Sequence, residues 1–207
     1  ESLLDKLEEG SLVLLYSGVA PVKSGDQNMH PFSVDRDFYY LTGIDAQNVW
    51  LMLSKTARGP SSALFIEQPD EELVKWNGPM LTKGEAARRS GIEEEKVRYM
   101  RDLERNIAYV LGYGVTSVYF SFDRLSMNAA PTRAEALART IREKYPAAQI
   151  KNIHRAVSSL RAVKKPEEVD CIRRAGDVTI EALRQMLRTA RPGEYEYQWA
   201  ADYEHYV

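Results

Sequence analysis

The chain has 207 residues and a net charge of −2, so it carries no broad positive field that would attract nucleic acid or an anionic membrane. Hydrophobic residues make up 44% of it and charged residues 28%, a composition typical of globular proteins rather than of disordered or fibrous chains. No apolar run approaches the roughly 18 residues of a membrane-spanning helix, and the single cysteine, Cys171, excludes an internal disulfide.

The first 70 residues alternate apolar runs with turn-forming residues. The predicted elements are, in chain order, a helix over 2–9, a strand over 11–16, a loop over 17–27, a helix over 35–41, and strands over 49–53 and 63–66. The turn Arg58-Gly59-Pro60 separates the last two strands, which we therefore expect to be neighbours.

From residue 70 to residue 153, helices and strands follow one another. The sequence predicts helices over 70–76, 83–90, 101–111 and 132–144, and strands over 117–122 and 149–153. This alternation favours an α/β fold, in which helices pack against a mixed sheet.

After residue 154 the pattern changes to two successive helices. Pro166, with two glutamates behind it, marks the start of a long amphipathic helix that ends at Pro192-Gly193. A second helix opens at Glu194 and shows no stop signal. Neither helix has predicted strands that would bury its apolar stripe. We therefore expect the chain to be the front portion of a larger two-domain protein, with a boundary near residues 155–165.

The histidines do not form a recognisable metal site. His205 follows Asp202 by three residues on one helix, but a catalytic metal needs three or more convergent protein ligands, so this is interpreted as a surface pair. His30 and His154 have no nearby partners in sequence and are interpreted as structural histidines.

Other catalytic patterns are also missing from the sequence. There is no nucleophile elbow, no glycine-rich phosphate loop and no paired cysteine and histidine. Asp35 and Asp37 are interpreted as a helix cap and a first-turn partner of the helix dipole rather than as an acid–base pair. We predict no catalytic residue and no metal ligand in this chain.

Three remaining features have alternative interpretations. In the cluster Phe38-Tyr39-Tyr40, we expect Phe38 and the following Leu41 to pack in the core while one tyrosine faces solvent. Cys171 lies in a helical pattern and is interpreted as a small core residue. Trp76 precedes the turn Asn77-Gly78-Pro79, where an exposed tryptophan is typical of an interface anchor.

Several strings occur in an order that resembles the Xaa-Pro aminopeptidases (aminopeptidase P) of the creatinase/prolidase family. The resemblance extends across nearly the whole chain. The strings are Pro31-Phe32, the run from Asp35 to Gly43, Lys75-Trp76-Asn77-Gly78, Glu85-Ala86-Ala87, Gly91-Ile92, the run from Leu160 to Glu168, Ile172-Arg173-Arg174-Ala175, and the run from Arg191 to Glu196.

The resemblance implies a creatinase/prolidase-type N-terminal domain over 1–157, with a mixed sheet flanked by helices. Residues 158–207 would be the incomplete start of a pita-bread (α+β) metallopeptidase domain. In the family, two metal ions, usually manganese, are held by two Asp, one His and two Glu, and the enzyme releases an N-terminal residue that precedes proline. All five ligands would lie beyond residue 207, so no cofactor is expected in this segment. Trp76 would be a substrate-binding residue that reaches a neighbouring subunit's active site.

This resemblance leaves several functions open. The intact protein would be a cytoplasmic homo-oligomer acting on proline-containing peptides, and this segment would be inactive alone, serving oligomerisation and substrate-pocket shaping. A prolidase, which cleaves Xaa-Pro dipeptides, is an alternative. A non-catalytic protein-binding module of the same fold, as in a histone chaperone, is another.

Overall fold

The computed structural model of the chain describes residues 2–24, 28–123 and 128–207. The chain divides into two compact units, Glu1–Arg161 and Ala162–Val207. In the described residues, no helix is both long enough and apolar enough to pass through a membrane.

The first unit is built on a mixed sheet. Its strands are β1 (Ser11–Tyr16), β4 (Trp50–Thr56), β5 (Gly59–Ile66), β6 (Val97–Tyr99), β7 (Ser117–Phe120) and β8 (Gln149–Asn152). Within the described residues these strands form one six-stranded sheet in the order β6-β5-β4-β1-β7-β8. Strand β1 pairs antiparallel with β4 and parallel with β7, and β8 continues parallel beyond β7. A separate hairpin joins β2 (Val22–Ser24) to β3 (Asn28–Met29).

Helices of the first unit pack on both faces of this sheet. In chain order the helices of this unit are α1 (Ser2–Asp5), α2 (Arg36–Thr42), α3 (Glu71–Asn77), α4 (Lys83–Ser90), α5 (Leu103–Leu111), α6 (Arg133–Lys144) and α7 (His154–Ala162). Two further helices, α8 (Pro166–Thr189) and α9 (Glu196–Tyr206), belong to the second unit. Short 3₁₀ turns occupy Glu94–Lys96 and Met100–Asp102.

The central strand β1 explains why the core has two halves. Its side chains alternate between the faces, so Leu12 and Leu14 pack with Ile107 of α5 on one side. Val13 and Leu15 pack with the helices α2, α4 and α7 on the other side. Because both faces are covered, the strand reads as a continuous apolar run rather than as an alternation.

The sequence predicted most of this architecture. The bounds of β1 and α4 are as predicted, and α2 begins one residue after Asp35, which caps it. The mixed sheet flanked by helices is confirmed. The hairpin of β4 and β5 is longer than predicted, because its backbone ladder continues into polar residues around the turn.

Strands β2, β3 and β6 and helix α7 were not predicted. Strand β6 has only three residues, two of which are not fully buried, so it leaves no apolar run. Helix α7 follows directly on β8, where the sequence showed only a change of pattern. The β2–β3 hairpin falls partly in the predicted loop 17–27, of which residues 25–27 lie outside the described residues.

The second unit consists of helices α8 and α9. As predicted, α8 begins at Pro166, and the Glu168 carboxylate accepts a hydrogen bond from the Lys165 backbone N–H. Ile172 and Leu187 of α8 are exposed, whereas Ala182 is buried. The prediction for Cys171 was wrong: its thiol is exposed on α8, because it does not lie on the face that packs.

Candidate functional site

Helix α2 is held at both ends, which positions the acidic side chains at its start. Asp35 caps it by accepting a hydrogen bond from the Phe38 N–H at 2.8 Å. At the other end Gly43 adopts a left-handed conformation, and its N–H donates to the Tyr39 carbonyl at 2.7 Å. Phe38 is fully buried and Tyr39 is exposed, as predicted.

The carboxylate of Asp37 is buried and bonded through both of its oxygens. Asp37 is 2% exposed, and its Oδ2 atom accepts a hydrogen bond from the Ser121 Oγ at 2.7 Å. The same oxygen lies 2.8 Å from Nδ1 of His154, while Oδ1 lies 2.8 Å from Nη1 of Arg161. A buried carboxylate is stable only when its oxygens are satisfied in this way. We call these four residues the Asp37 cluster.

The Asp37 cluster adds partners that the sequence interpretations of Asp37 and His154 did not include. Asp37 does lie in the first turn of α2, but its carboxylate binds three side chains instead of only facing the helix dipole. His154 is not a histidine without partners, because α7 brings it to Asp37. These partners are 84 to 124 residues from Asp37 in sequence, so no local pattern could reveal them.

A hydrogen-bonded chain runs from Asp37 through His154 to Ser158. The Ser158 hydroxyl lies 3.2 Å from Nε2 of His154, one helical turn away on α7. The order of carboxylate, imidazole and hydroxyl resembles that of a nucleophilic serine with its histidine base. Here, however, the other carboxylate oxygen of Asp37 accepts a hydrogen bond from Arg161. Neither His154 nor Ser158 is among the residues that line the cavity described next. The chain therefore has a positioning role, tying α7 to α2.

A cavity of about 580 Å³ opens at the carboxyl ends of the parallel strands β1 and β7. Ligands commonly bind at this position in α/β sheets. Its wall is formed by Tyr16, by the segment that follows β7, and by the start of α6 around Arg133. Asp35 also lines it. We call this space the β1–β7 cavity.

One side of the β1–β7 cavity is supported by a polar network around Asn48. The backbone of Asn48 is left-handed, with φ of 56°, which asparagine tolerates better than most residues. Its Oδ1 accepts hydrogen bonds from the Tyr16 hydroxyl at 3.0 Å and from Nη1 of Arg133 at 2.8 Å. Its Nδ2 donates to Glu67. Burial raises the pKa of the Tyr16 hydroxyl, and the Arg133 guanidinium opposes that shift.

The cavity wall also contains a negative charge, the carboxylate of Asp35. Burial raises the pKa of the Asp35 carboxyl, and the nearby carboxylates of Asp37 and Asp123 raise it further. The hydrogen bond from the Phe38 N–H lowers the pKa of Asp35 but does not cancel these effects. A cation near Asp35 would relieve the repulsion.

Trp76 and the Asp202–His205 pair, which the sequence analysis also considered, are not among the residues that line this cavity. Trp76, on α3, is 82% exposed, and its binding role stays a prediction. Asp202 and His205 are both on the surface, and Asp202 accepts a hydrogen bond from the Thr189 hydroxyl at 2.7 Å. Throughout residues 2–24, 28–123 and 128–207, no three His, Cys, Asp or Glu side chains form a group that could hold a metal ion.

Comparison with known protein families identifies the family of this chain. The family model for the N-terminal domain of aminopeptidase P matches residues 1–119, which is more than half of the chain. The chain belongs to the aminopeptidase P family. Its match is to the N-terminal domain of that family, and the matched residues include β1, α2, Asn48 and Trp76.

The aminopeptidase P relatives are longer than this chain. A Xaa-Pro aminopeptidase of Haemophilus influenzae is 25% identical over 205 residues, covering 97% of this chain and 44% of the relative. That of Escherichia coli is 26% identical, covering 99% of this chain and 46% of the relative. The chain thus spans about half the length of the curated relatives it matches.

Solved structures have the same fold. A Bacillus anthracis structure assigned to aminopeptidase P has a TM-score of 0.90 and 30% identity, covering 99% of this chain and 48% of that one. Escherichia coli aminopeptidase P with the inhibitor Pro-Leu has a TM-score of 0.83 at 23% identity, covering 99% of this chain and 46% of that one. The zinc-substituted Escherichia coli enzyme with its product has a TM-score of 0.83 at 24% identity, with coverages of 99% and 47%. The two Escherichia coli structures support the fold alone.

The first prediction concerns the Asp37 cluster of this aminopeptidase P domain. Asp37→Asn leaves the Arg161 guanidinium without its carboxylate, and removing one partner of a buried pair costs roughly 3–5 kcal/mol. Because the Arg161 side chain is 31% exposed and can be hydrated, we expect a smaller loss, about 2–3 kcal/mol, in urea unfolding.

The matched control is Glu93→Gln, which removes the carboxylate of the exposed Lys96–Glu93 pair. We expect it to change the free energy of unfolding by less than about 0.5 kcal/mol. Equal effects of the two substitutions would contradict the structural role of Asp37.

The second prediction concerns the pH dependence caused by Asp35. Since its pKa is raised on folding, Asp35 contributes stability that is fully present below its unfolded pKa of about 3.9. That contribution is lost as pH rises through the folded pKa. Asp35→Asn keeps the cap but cannot ionise. As pH rises from about 3.5 to 7, we therefore expect the free energy of unfolding of the Asp35→Asn variant, minus that of the unsubstituted chain, to become more positive, which means that the variant becomes relatively more stable.

Asp35→Ala is the companion variant. Its free energy of unfolding should follow the same pH trend. At every pH it should be about 1 kcal/mol lower than that of Asp35→Asn, because the cap is lost. A difference between the Asp35→Asn variant and the unsubstituted chain that is constant with pH, or that runs the other way, would contradict the raised pKa.

Proposed function

We propose that this chain is the N-terminal portion of a metal-dependent Xaa-Pro aminopeptidase that releases the N-terminal residue preceding proline. The observation that carries the proposal is continuous similarity to two Xaa-Pro aminopeptidases over 97–99% of the chain, extending past the family-model match at residue 119 into the second unit. We assign 1–157 to the creatinase/prolidase-like domain and 158–207 to the start of a pita-bread domain.

The metal centre belongs, in this proposal, to the rest of the intact enzyme. One relative was solved with zinc substituted for its metal, which supports metal dependence in the family. The described residues of this chain do not fit such a centre, because they contain no group of three or more His, Cys, Asp or Glu side chains that could hold a metal ion. In the intact enzyme, two manganese ions would supply a hydroxide nucleophile and polarise the scissile carbonyl.

This segment would then be non-catalytic, serving oligomerisation and substrate-pocket shaping. Trp76 supports such a role because this large aromatic residue is 82% exposed. It lies two residues before Gly78, whose backbone is left-handed. Large aromatic side chains in solvent are typical anchors at protein interfaces. We propose that Trp76 contacts a proline-containing peptide at the active-site mouth of a neighbouring subunit in a homo-oligomer.

We also propose a cytoplasmic location. Cys171 is the single cysteine and its thiol is exposed. Unpaired exposed thiols persist where the compartment is reducing.

The third prediction tests the activity. The intact enzyme, expressed from the full coding frame, should bind two manganese ions and hydrolyse peptides with proline in the second position. The chain of residues 1–207 should do neither. An intact enzyme that cleaves only Xaa-Pro dipeptides would indicate a prolidase. Absence of both metal and activity would favour a non-catalytic binding module.

The fourth prediction concerns Trp76 in the intact enzyme. Trp76→Ala removes an anchor, so we expect kcat/KM for peptides of four or more residues to fall about tenfold, which corresponds to about 1.4 kcal/mol. Metal content should not change, because Trp76 is not a ligand.

Tyr39→Ala is the matched control, since it truncates another exposed aromatic side chain of the first unit. It should leave the kinetics and the oligomeric mass unchanged. If Trp76→Ala also leaves both unchanged, the proposed role of Trp76 is wrong.

A further inference from the structure

The β1–β7 cavity has the size and shape of a small-molecule site. Its volume of about 580 Å³ lies within the range of roughly 300–1,000 Å³ that ligand pockets occupy. It is enclosed by two strand ends and a helix start of the first unit. Its position does not depend on the metal centre or on Trp76.

Most of the cavity wall is apolar. Leu14 of β1 and Ala134 of α6 are buried side chains of the core that also reach the cavity. Val19 and Phe122 add apolar surface from the segments that follow β1 and β7. A ligand must therefore bring an apolar group, whose burial stabilises the complex by about 25 cal/mol for each Å² removed from water.

Among the lining residues that the structure describes, the charges are predominantly negative. Asp35, Asp123 and Glu135 contribute carboxylates, and Arg133 contributes a guanidinium. Glu135 accepts a hydrogen bond from the Thr132 N–H in the cap of α6, and Arg133 is bonded to Asn48. Asp35 and Asp123 thus provide the charge for a ligand, and they repel one another, which helps to raise the pKa of Asp35.

We infer that the β1–β7 cavity binds a small cation in which a primary ammonium group adjoins an apolar substituent. The ammonium would lie between the carboxylates of Asp35 and Asp123, and the substituent would cover Phe122 and Val19. This chemistry occurs both at the N-terminus of a peptide and in a free alkylamine. An anion is disfavoured because it would meet two carboxylates near a guanidinium that already has a partner.

The test is isothermal titration of the 1–207 chain at pH 7 with leucinamide, which is cationic, and with N-acetyl-leucinamide, which has the same side chain but no charge. We expect leucinamide to bind with a Kd of about 1 mM, as suits a ligand of so few atoms, and the acetylated compound to bind at least tenfold more weakly. Leu-Gly-Gly and isoamylamine then separate the two sources: whichever binds more tightly identifies the ligand as a peptide N-terminus or a free amine.

Variants locate the site. Asp35→Asn preserves the cap of α2 and Asp123→Asn is conservative, and each should weaken leucinamide about tenfold. Asp45→Asn, at an exposed carboxylate outside the cavity wall, should leave the Kd unchanged. Val19→Trp should abolish binding by filling the cavity without disturbing the core, since Val19 is 45% exposed.

Three results would overturn the inference. These are absence of leucinamide binding at 20 mM, equal binding of the acetylated compound, and unchanged affinity in both the Asp35→Asn and Asp123→Asn variants. Because the titration uses no metal and no peptidase assay, its failure is distinguishable from failure of the proposed aminopeptidase function.

Discussion

The buried carboxylate of Asp37 is the constraint around which the first unit is arranged. A carboxylate that is 2% exposed costs several kcal/mol unless its oxygens are satisfied, and here Ser121, His154 and Arg161 satisfy them. These partners come from the end of β7 and from both ends of α7. The positions of α2, β7 and α7 therefore depend on one another through a single side chain.

The mixed sheet decides where a ligand can bind. Strand β1 has an antiparallel neighbour on one side and a parallel neighbour, β7, on the other, so the segments leaving β1 and β7 diverge at the same edge. The β1–β7 cavity opens at that edge. The Asn48 network supports one side of the cavity, and α2, held by Asp37, places the Asp35 carboxylate in its wall.

The aminopeptidase P family and the chemistry of this chain have to be distinguished. The family match and the fold connect the chain to Xaa-Pro aminopeptidases about twice its length, yet its described residues group no metal ligands. What this chain offers is an exposed Trp76 and a mostly apolar cavity with acidic groups. The proposed supporting role rests on Trp76, and the inferred ligand site rests on the cavity.

The sequence alone determined the features that depend on neighbours along the chain. These are β1, because burial on both faces requires an unbroken apolar run, the caps at Asp35 and Pro166, and the motif order that indicated the family. Tertiary structure decided the rest. The partners of Asp37 lie 84 to 124 residues away, and the cavity forms only where two strand ends meet. Periodicity reports which face of an element is buried, but it does not report which distant charge will lie beside it.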